Sequence, residues 1–133
     1  MNLLGRRETH IYGTKNWTEL QQELEEITTK WQWKLKCFQS NSEGEIVDKI
    51  QTCMDAASAL IINPAAYTHT SIAIKDALAM LKIPVIEVHL SNILAREQFR
   101  SISFTASHVT GIISGFGSNT YKIALLALKE IME

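Results

Sequence analysis

Apolar residues recur at intervals of three and four in the first third of the chain, a spacing that places them on one face of a helix. The positions concerned are Trp17, Leu20, Leu24, Ile27 and Trp31. Asn16 precedes this stripe and Glu19 follows three positions later, which is typical of a helix start. The pattern predicts an amphipathic helix that begins at residue 17.

Strict alternation of apolar and charged residues follows this helix. Trp33, Leu35 and Cys37 alternate with Lys34 and Lys36. Alternation with a period of two is typical of a strand with one buried face. The stretch therefore predicts a strand near the edge of a sheet.

The remainder of the chain repeats short β-rich runs and amphipathic helical patterns. The predicted elements are a helix over 43–54, a strand over 59–62, a helix over 71–81, a strand over 85–88, a short helical turn over 96–100, a strand over 109–113 and a helix over 118–132. The runs lack hairpin signals, so the order predicts a parallel sheet covered by helices on both faces, an α/β fold. We find no repeat or linker and expect a single domain over residues 1–133.

Composition narrows the classes of protein. Hydrophobic residues make up 46% of the 133 residues, charged residues 20%, and the net charge is −1. This balance suits a compact domain and gives no electrostatic reason to expect nucleic acid or an anionic membrane as a partner. No apolar run approaches the roughly 20 residues of a membrane helix, and the N-terminal residues lack the apolar core of a signal peptide. We expect a cytoplasmic protein.

The stretch VIEVHLSN, residues 85–92, places polar chemistry on a buried strand. Glu87 and His89 are two apart, so their side chains point to the same side of the strand. A carboxylate next to an imidazole orients the ring and favours its protonated form, as a general acid near neutral pH requires. Taken alone, His89 is equally well explained as a buried structural histidine.

Other polar residues follow the predicted strands, where ligands bind in open parallel sheets. His69, in THTS, lies before a predicted helix and has two interpretations: a member of a capping loop, or a hydrogen-bond donor to an oxygenated ligand. Asn63, before Pro64, either forms a turn or holds a water or a substrate hydroxyl. The sequence alone does not choose between these alternatives.

Two arginine-containing segments also admit two interpretations. Arg7 and Tyr12 lie in GRRETHIYG, which is either a solvated loop or a site where an arginine stabilises a deprotonated tyrosine. Arg96 and Arg100 share a predicted helix face, where surface salt bridges are the simplest explanation. The chain has no nucleotide-binding fingerprint and no metal-ligand spacing, so we expect no cofactor and no metal.

Four stretches together resemble one enzyme family. They are LLGRRETHIYG at 3–13, INPAAYTHTSIAIKDAL at 62–78, PVIEVHLSNILAREQFR at 84–100 and SGFG at 114–117. In this order and spacing they resemble the type II 3-dehydroquinate dehydratases, over essentially the whole chain. The resemblance implies a flavodoxin-like three-layer α/β fold with a parallel sheet. It also implies trimers that assemble into a dodecamer, and cofactor-free elimination of water from 3-dehydroquinate through an enolate to 3-dehydroshikimate.

The resemblance implies roles for residues that match the family's motifs. Tyr12 would be the base that removes the C2 proton, stabilised as tyrosinate by Arg7, with Arg96 nearby. His89 would protonate the departing C1 hydroxyl, oriented by Glu87. The assignments fit the chemistry, since a proton next to a ketone is weakly acidic and hydroxide is a poor leaving group.

The same resemblance implies a substrate-binding set. Asn63 would belong to both the catalytic and the substrate-binding set, because it would hold the water linked to the enolate. Leu90 and Ser91 would bind the substrate carboxylate, largely through backbone amides. His69 and Arg100 would contact the ring hydroxyls.

The chain departs from the family pattern in two places. The family's first strand and its N-G-P-N turn precede the LLG stretch, whereas here Met1-Asn2 stands at that point. The missing first strand sustains an alternative hypothesis, an inactive relative that serves as a binding or assembly module. Ala65 stands where glycine is usual, at a cost of about 1 kcal/mol if the backbone is left-handed there.

A further residue implied by the resemblance, Asp76, would reach into a neighbouring subunit's site.

Overall fold

The computed structural model describes residues 15–95 and 102–133. In this part of the chain the sheet has three parallel strands: β1 (Leu60–Ile62), β2 (Val85–His89) and β3 (Gly111–Ser114), in the order β1-β2-β3. Ile62 lies opposite Glu87, and His89 lies opposite Ser114. Because the strands run in one direction, their carboxyl ends meet at one edge of the sheet.

The described part of the chain also contains four helices and three short 3₁₀ turns. The helices are α1 (Trp17–Lys30), α2 (Glu43–Ala56), α3 (Ile72–Ala79) and α4 (Asn119–Met132), and the turns are Ala65–His69, Ile93–Ala95 and Ala106–His108. The predicted start of α1 is confirmed: the Asn16 side chain accepts from the Glu19 N–H, and the Glu19 side chain accepts from the Asn16 N–H. None of these helices is long and apolar enough to cross a membrane.

Two apolar clusters lie on opposite faces of the sheet. Ile86, Val88 and Leu90 pack with residues of α1 and α4. Val85 packs with Ile62 and with residues of α2 and α3. Successive side chains of β2 thus alternate between the two clusters, as a pleated strand requires. The helices cover both faces, which confirms the predicted three-layer α/β architecture.

The strand predicted over residues 33–37 is wrong. The alternation itself is present, because Trp33, Leu35 and Cys37 are half-buried while the two intervening lysines are exposed. Trp33 and Leu35 pack against the cluster of α1 and α4. However, this stretch hydrogen-bonds to none of the three strands in the described ranges. Alternation reports which side chains are buried, whereas a strand also requires a backbone partner.

The helical turn predicted over residues 96–100 lies outside the described residues. The other predicted elements are confirmed with small shifts of their ends. No end shifts by more than two residues; the strand predicted over 109–113, for example, is observed at Gly111–Ser114. These elements place four polar segments at or beside the carboxyl edge of the sheet: residues 63–71, 87–92, 103–106 and 114–118.

Candidate active site

Glu87 and His89 form a buried pair at the carboxyl end of β2. Both side chains lie on the face that also carries Val85, toward α2 and α3. Glu87 is 0% exposed and His89 is 4% exposed. Nε2 of His89 lies 2.8 Å from Oε2 of Glu87. The contact predicted from the i, i+2 spacing is therefore present.

The second carboxylate oxygen of Glu87 also has a donor. Oε1 accepts a hydrogen bond from the hydroxyl of Thr105, which is 0% exposed. Ser103 Oγ lies 3.2 Å from Thr105 Oγ1, and the Ala106 N–H donates to Ser103 Oγ at 3.0 Å. A buried carboxylate is costly unless hydrogen bonds replace its hydration. Here both oxygens have a donor, and sequence reasoning found only the one from His89.

The amide of Asn63 is oriented by two contacts after the end of β1. Its Oδ1 accepts from the Ala65 N–H at 3.0 Å, and its Nδ2 donates to the hydroxyl of Tyr121 at 3.0 Å. A backbone N–H only donates, so the amide oxygen must face Ala65 and the amide nitrogen must face Tyr121. The Asn63 amide thus has a defined orientation beside the site.

Tyr121 belongs to α4 and to the apolar cluster of α1 and α4. Its side chain is 7% exposed. Burial raises the pKa of the Tyr121 phenol well above its usual value, and the hydrogen bond from Asn63 only partly opposes this shift. The phenol therefore stays protonated at neutral pH. The sequence predicted the helix that carries Tyr121 but not the contact of its hydroxyl with Asn63.

Ala65 has the left-handed conformation expected for the residue that is usually glycine in the family, with φ 53°. The cost of this conformation is about 1 kcal/mol for a residue with a Cβ atom. The hydrogen bond from the Ala65 N–H to Asn63 holds the turn. Alanine at this position is compatible with the oriented amide of Asn63.

His69 ends the 3₁₀ turn Ala65–His69, and its Nδ1 lies 2.6 Å from the carbonyl oxygen of Ile102. A carbonyl only accepts, so Nδ1 carries the proton in this contact. The capping interpretation holds for Ser71, whose side chain accepts from the Ile74 N–H at 2.9 Å at the start of α3. His69 is therefore separate from the cap and is oriented by another segment of the chain.

Hydrogen bonds join the residues that follow β2 to the end of β3 and the residues after it. The Gly117 N–H donates to the Leu90 carbonyl at 2.8 Å, and the Ser114 hydroxyl donates to the Ser91 carbonyl at 2.9 Å. The Leu90 side chain is buried in the apolar cluster of α1 and α4. Gly115 has φ 101°, a conformation that favours glycine. These contacts fix the backbone at the two positions predicted to bind a carboxylate.

Of the remaining predicted residues, Asp76 is described and does not join this cluster. Asp76 lies exposed on α3. Four further residues, Arg7, Tyr12, Arg96 and Arg100, lie outside the described residues, and their roles stay predictions. Among the described residues no group of three or more histidine, cysteine, aspartate or glutamate side chains is arranged to hold a metal ion.

An oriented histidine–carboxylate pair at the carboxyl edge of a parallel α/β sheet is an arrangement that suits general acid–base chemistry. The family model described as dehydroquinase class II matches residues 1–129, and the chain belongs to this family. It is 50% identical to a 3-dehydroquinate dehydratase of Aliarcobacter butzleri, over 99% of this chain and 80% of the relative. It is 48% identical to one of Prochlorococcus marinus, over 99% of this chain and 90% of the relative. The type II dehydroquinase crystal structure from Butyrivibrio crossotus superimposes with a TM-score of 0.93 at 44% identity, covering 96% of this chain and 90% of that one.

Proposed function

We propose that this chain eliminates water from 3-dehydroquinate to give 3-dehydroshikimate by general acid–base catalysis through an enolate. The observation that carries the proposal is the buried His89–Glu87 pair at the carboxyl edge of the sheet. Relatives named 3-dehydroquinate dehydratase align with nearly the whole chain at 48–50% sequence identity. This similarity favours the enzyme over the alternative, an inactive binding or assembly module.

His89 is the proposed general acid. Hydroxide leaves poorly unless a proton reaches the departing oxygen, and imidazolium is a suitable donor near neutral pH. The Glu87 carboxylate only accepts, so Nε2 of His89 carries its proton toward Glu87, and Nδ1 is the ring nitrogen proposed to serve the substrate. Glu87 thus orients the proposed acid.

Tyr12 is the proposed base, on the strength of the family resemblance. A phenol has an ordinary pKa of about 10 and becomes an effective base near neutral pH when cations stabilise its anion. Arg7 and Arg96 supply those cations. The enolate that forms needs hydrogen bonds where its charge develops. The oriented amide of Asn63 supports a role in holding the water that provides one of them.

Substrate binding is assigned to the residues after the strands. Backbone amides of Leu90 and Ser91 bind the carboxylate, and the contacts between the ends of β2 and β3 support this by fixing the backbone there. His69 and Arg100 contact the ring hydroxyls. The contact of His69 with the Ile102 carbonyl orients its ring for that task.

We also propose a cytoplasmic, single-domain subunit that forms trimers and a dodecamer. Ile72 and Asp76 are four residues apart on one face of α3, and Met80, the residue that caps the helix, follows four residues later; both apolar side chains are 60% exposed. An exposed apolar stripe around a carboxylate supports a subunit contact through which Asp76 enters a neighbouring site. Light scattering tests the assembly, since it should give a mass twelve times that of the 15.0 kDa chain. A monomeric mass would contradict it.

The experiment that tests the reaction mixes the purified chain with 3-dehydroquinate and follows the ultraviolet absorbance of the conjugated enone product. We expect a rise in absorbance that disappears in Tyr12→Phe, because the variant lacks the base. The variant should keep the oligomeric mass of the parent. No absorbance rise from the folded parent chain would contradict the proposed reaction, and near-normal turnover by Tyr12→Phe would contradict the assigned base.

A further inference from the structure

We infer that Thr105 is a positioning residue for the His89–Glu87 pair, an inference that rests on the proposed function and deepens it. Thr105 is fully buried, and its hydroxyl lies against the carboxylate of Glu87 rather than against the imidazole. Its hydroxyl reaches the carboxylate oxygen of Glu87 that His89 does not use. Thr105 therefore acts on the proposed acid through Glu87.

The direction of every hydrogen bond in this chain of contacts is determined. The Glu87 carboxylate only accepts, so the Thr105 hydroxyl proton points at Oε1. Because Thr105 uses its proton there, the contact between the hydroxyls of Ser103 and Thr105 must be donated by Ser103. Ser103 in turn accepts from the Ala106 N–H, which can only donate. The sequence of donors runs from a backbone amide to the carboxylate without an ambiguous step.

Burial makes these contacts consequential. Glu87 and Thr105 are both 0% exposed, so water does not replace a lost donor at this surface of the carboxylate. A carboxylate held at one oxygen can rotate about its terminal bond, whereas one held at both oxygens has a fixed plane. The fixed plane sets the position of Oε2, and Oε2 sets the ring orientation and the protonated nitrogen of His89.

The backbone around Thr105 is also held in place. The Phe104 N–H donates to the Thr68 carbonyl at 2.8 Å, and the Ile102 carbonyl accepts from His69. The segment 102–106 is thereby hydrogen-bonded to the loop that contains His69 and to Glu87, the carboxylate that contacts His89. A hydroxyl presented from a segment with two such anchors has a defined position relative to Glu87.

The first test compares kcat and KM for Thr105→Val and Thr105→Ser in the dehydration assay. Valine preserves the shape and removes the donor, so kcat should fall about tenfold or more, the effect of losing a hydrogen bond to a charged group. KM should change less than about threefold, because Thr105 does not touch the substrate. Serine restores the donor, and kcat should return to within about threefold of the parent.

Thr28→Val is the matched control. Thr28 is also buried, at 2% exposure, but its hydroxyl donates to the Leu24 and Glu25 carbonyls within α1. The control makes the same chemical change at the same depth on another element, so its kcat should equal that of the parent. An equal loss of kcat in Thr28→Val and Thr105→Val would overturn the inference, since it would indicate a general effect of burying valine.

A double-mutant cycle with Glu87→Gln separates action through Glu87 from a local structural effect. If Thr105 acts through the carboxylate, Thr105→Val should lower kcat much less in the Glu87→Gln background than in the parent. The same fold-loss in both backgrounds would overturn the inference. Should Thr105→Val not fold, Thr105→Cys, whose thiol is a weak donor, replaces it in both measurements with the same expectations.

The outcomes distinguish this inference from the proposed function. An inactive parent chain contradicts the proposed reaction, whatever the variants do. An active parent whose kcat is unchanged in Thr105→Val contradicts the positioning role and leaves the reaction intact. A fall in kcat that serine does not rescue also contradicts the role of the hydroxyl.

Discussion

At the carboxyl end of β2, the two faces of this five-residue strand carry different kinds of side chain. Ile86 and Val88 point into the apolar cluster of α1 and α4. Glu87 and His89 point to the opposite face, where each polar atom of the carboxylate is hydrogen-bonded. Both faces are buried to a similar degree. Burial alone therefore does not distinguish the part of the strand that stabilises the fold from the part that performs chemistry.

The difference lies in what burial achieves on each face. On the apolar face, removal of carbon surface from water stabilises the folded state without regard to direction. On the polar face, each group needs a partner at a defined angle, so burial there fixes orientation at an energetic cost. Changes on the first face should alter stability, and changes on the second should alter turnover.

The strongest test of this division is His89→Gln. Glutamine retains an amide that can hydrogen-bond but cannot supply a proton, so kcat should fall by about 10² to 10⁴, the usual contribution of a general acid. The free energy of unfolding should fall less than in Ile86→Ala below, because the glutamine amide can still donate a hydrogen bond to Glu87. Steady-state kinetics and urea unfolding measure the two quantities. A kcat within tenfold of the parent would show that His89 is not the acid.

Ile86→Ala tests the opposite face with the next largest effect. Loss of a buried isoleucine should lower the free energy of unfolding by about 2–5 kcal/mol, because the cavity is only partly filled by neighbours. The kcat of the folded protein should stay within twofold of the parent. Ile131→Ala is the control, because Ile131 is 49% exposed and should cost less. Unfolding must be compared at one chain concentration. A large loss of kcat in folded Ile86→Ala would contradict the division between the faces.

Tyr121→Phe tests the hydrogen bond between Asn63 at the candidate site and Tyr121 in the apolar cluster. It should have the smallest effect of the three substitutions, a change in the free energy of unfolding that is visible at alkaline pH. The pKa of Tyr121 is raised in the folded state, whereas the unfolded phenol ionises near pH 10. Above about pH 10 the unfolded state therefore holds fewer protons than the folded state, and stability falls by about 1.4 kcal/mol per pH unit from this group.

The phenylalanine variant lacks this ionisation and should lose less stability over the same range. Urea unfolding between about pH 9 and 11 measures the two slopes, with the other tyrosines common to both proteins. Parallel slopes would contradict a raised pKa at Tyr121. At neutral pH the variant should be less stable than the parent by about 1 kcal/mol, since the Asn63 amide loses its acceptor.

Sequence reasoning predicted the parts of the fold and site that are encoded locally. The start of α1 follows from Asn16 and Glu19, and the contact between Glu87 and His89 follows from their spacing along a strand. Residues 33–37 show the limit of such reasoning. Their alternation predicted the buried side chains correctly, but a strand also depends on a backbone partner that the local pattern does not contain.

Contacts over long sequence separations could not be predicted. Thr105 lies 18 residues beyond Glu87, and Tyr121 lies 58 residues beyond Asn63. A threonine in a loop and a tyrosine on an apolar helix face carry no local signal of such a partner. Only the packing of the whole domain brings their hydroxyls to these atoms. The family resemblance supplied the residues proposed to touch the substrate, and Glu87 as the residue that orients His89, but not Thr105 or Tyr121.

The hydrogen bond between Asn63 and Tyr121 joins a site residue to the hydrophobic core. Tyr121 packs in the cluster of α1 and α4, so the position of its hydroxyl depends on how α4 lies along the sheet. A displacement of that helix changes the direction in which the Asn63 amide points, even when no residue near the substrate is altered. Substitutions deep in α4 should therefore misalign the water that Asn63 is proposed to hold, so the proposed chemistry as well as packing limits sequence change in this helix.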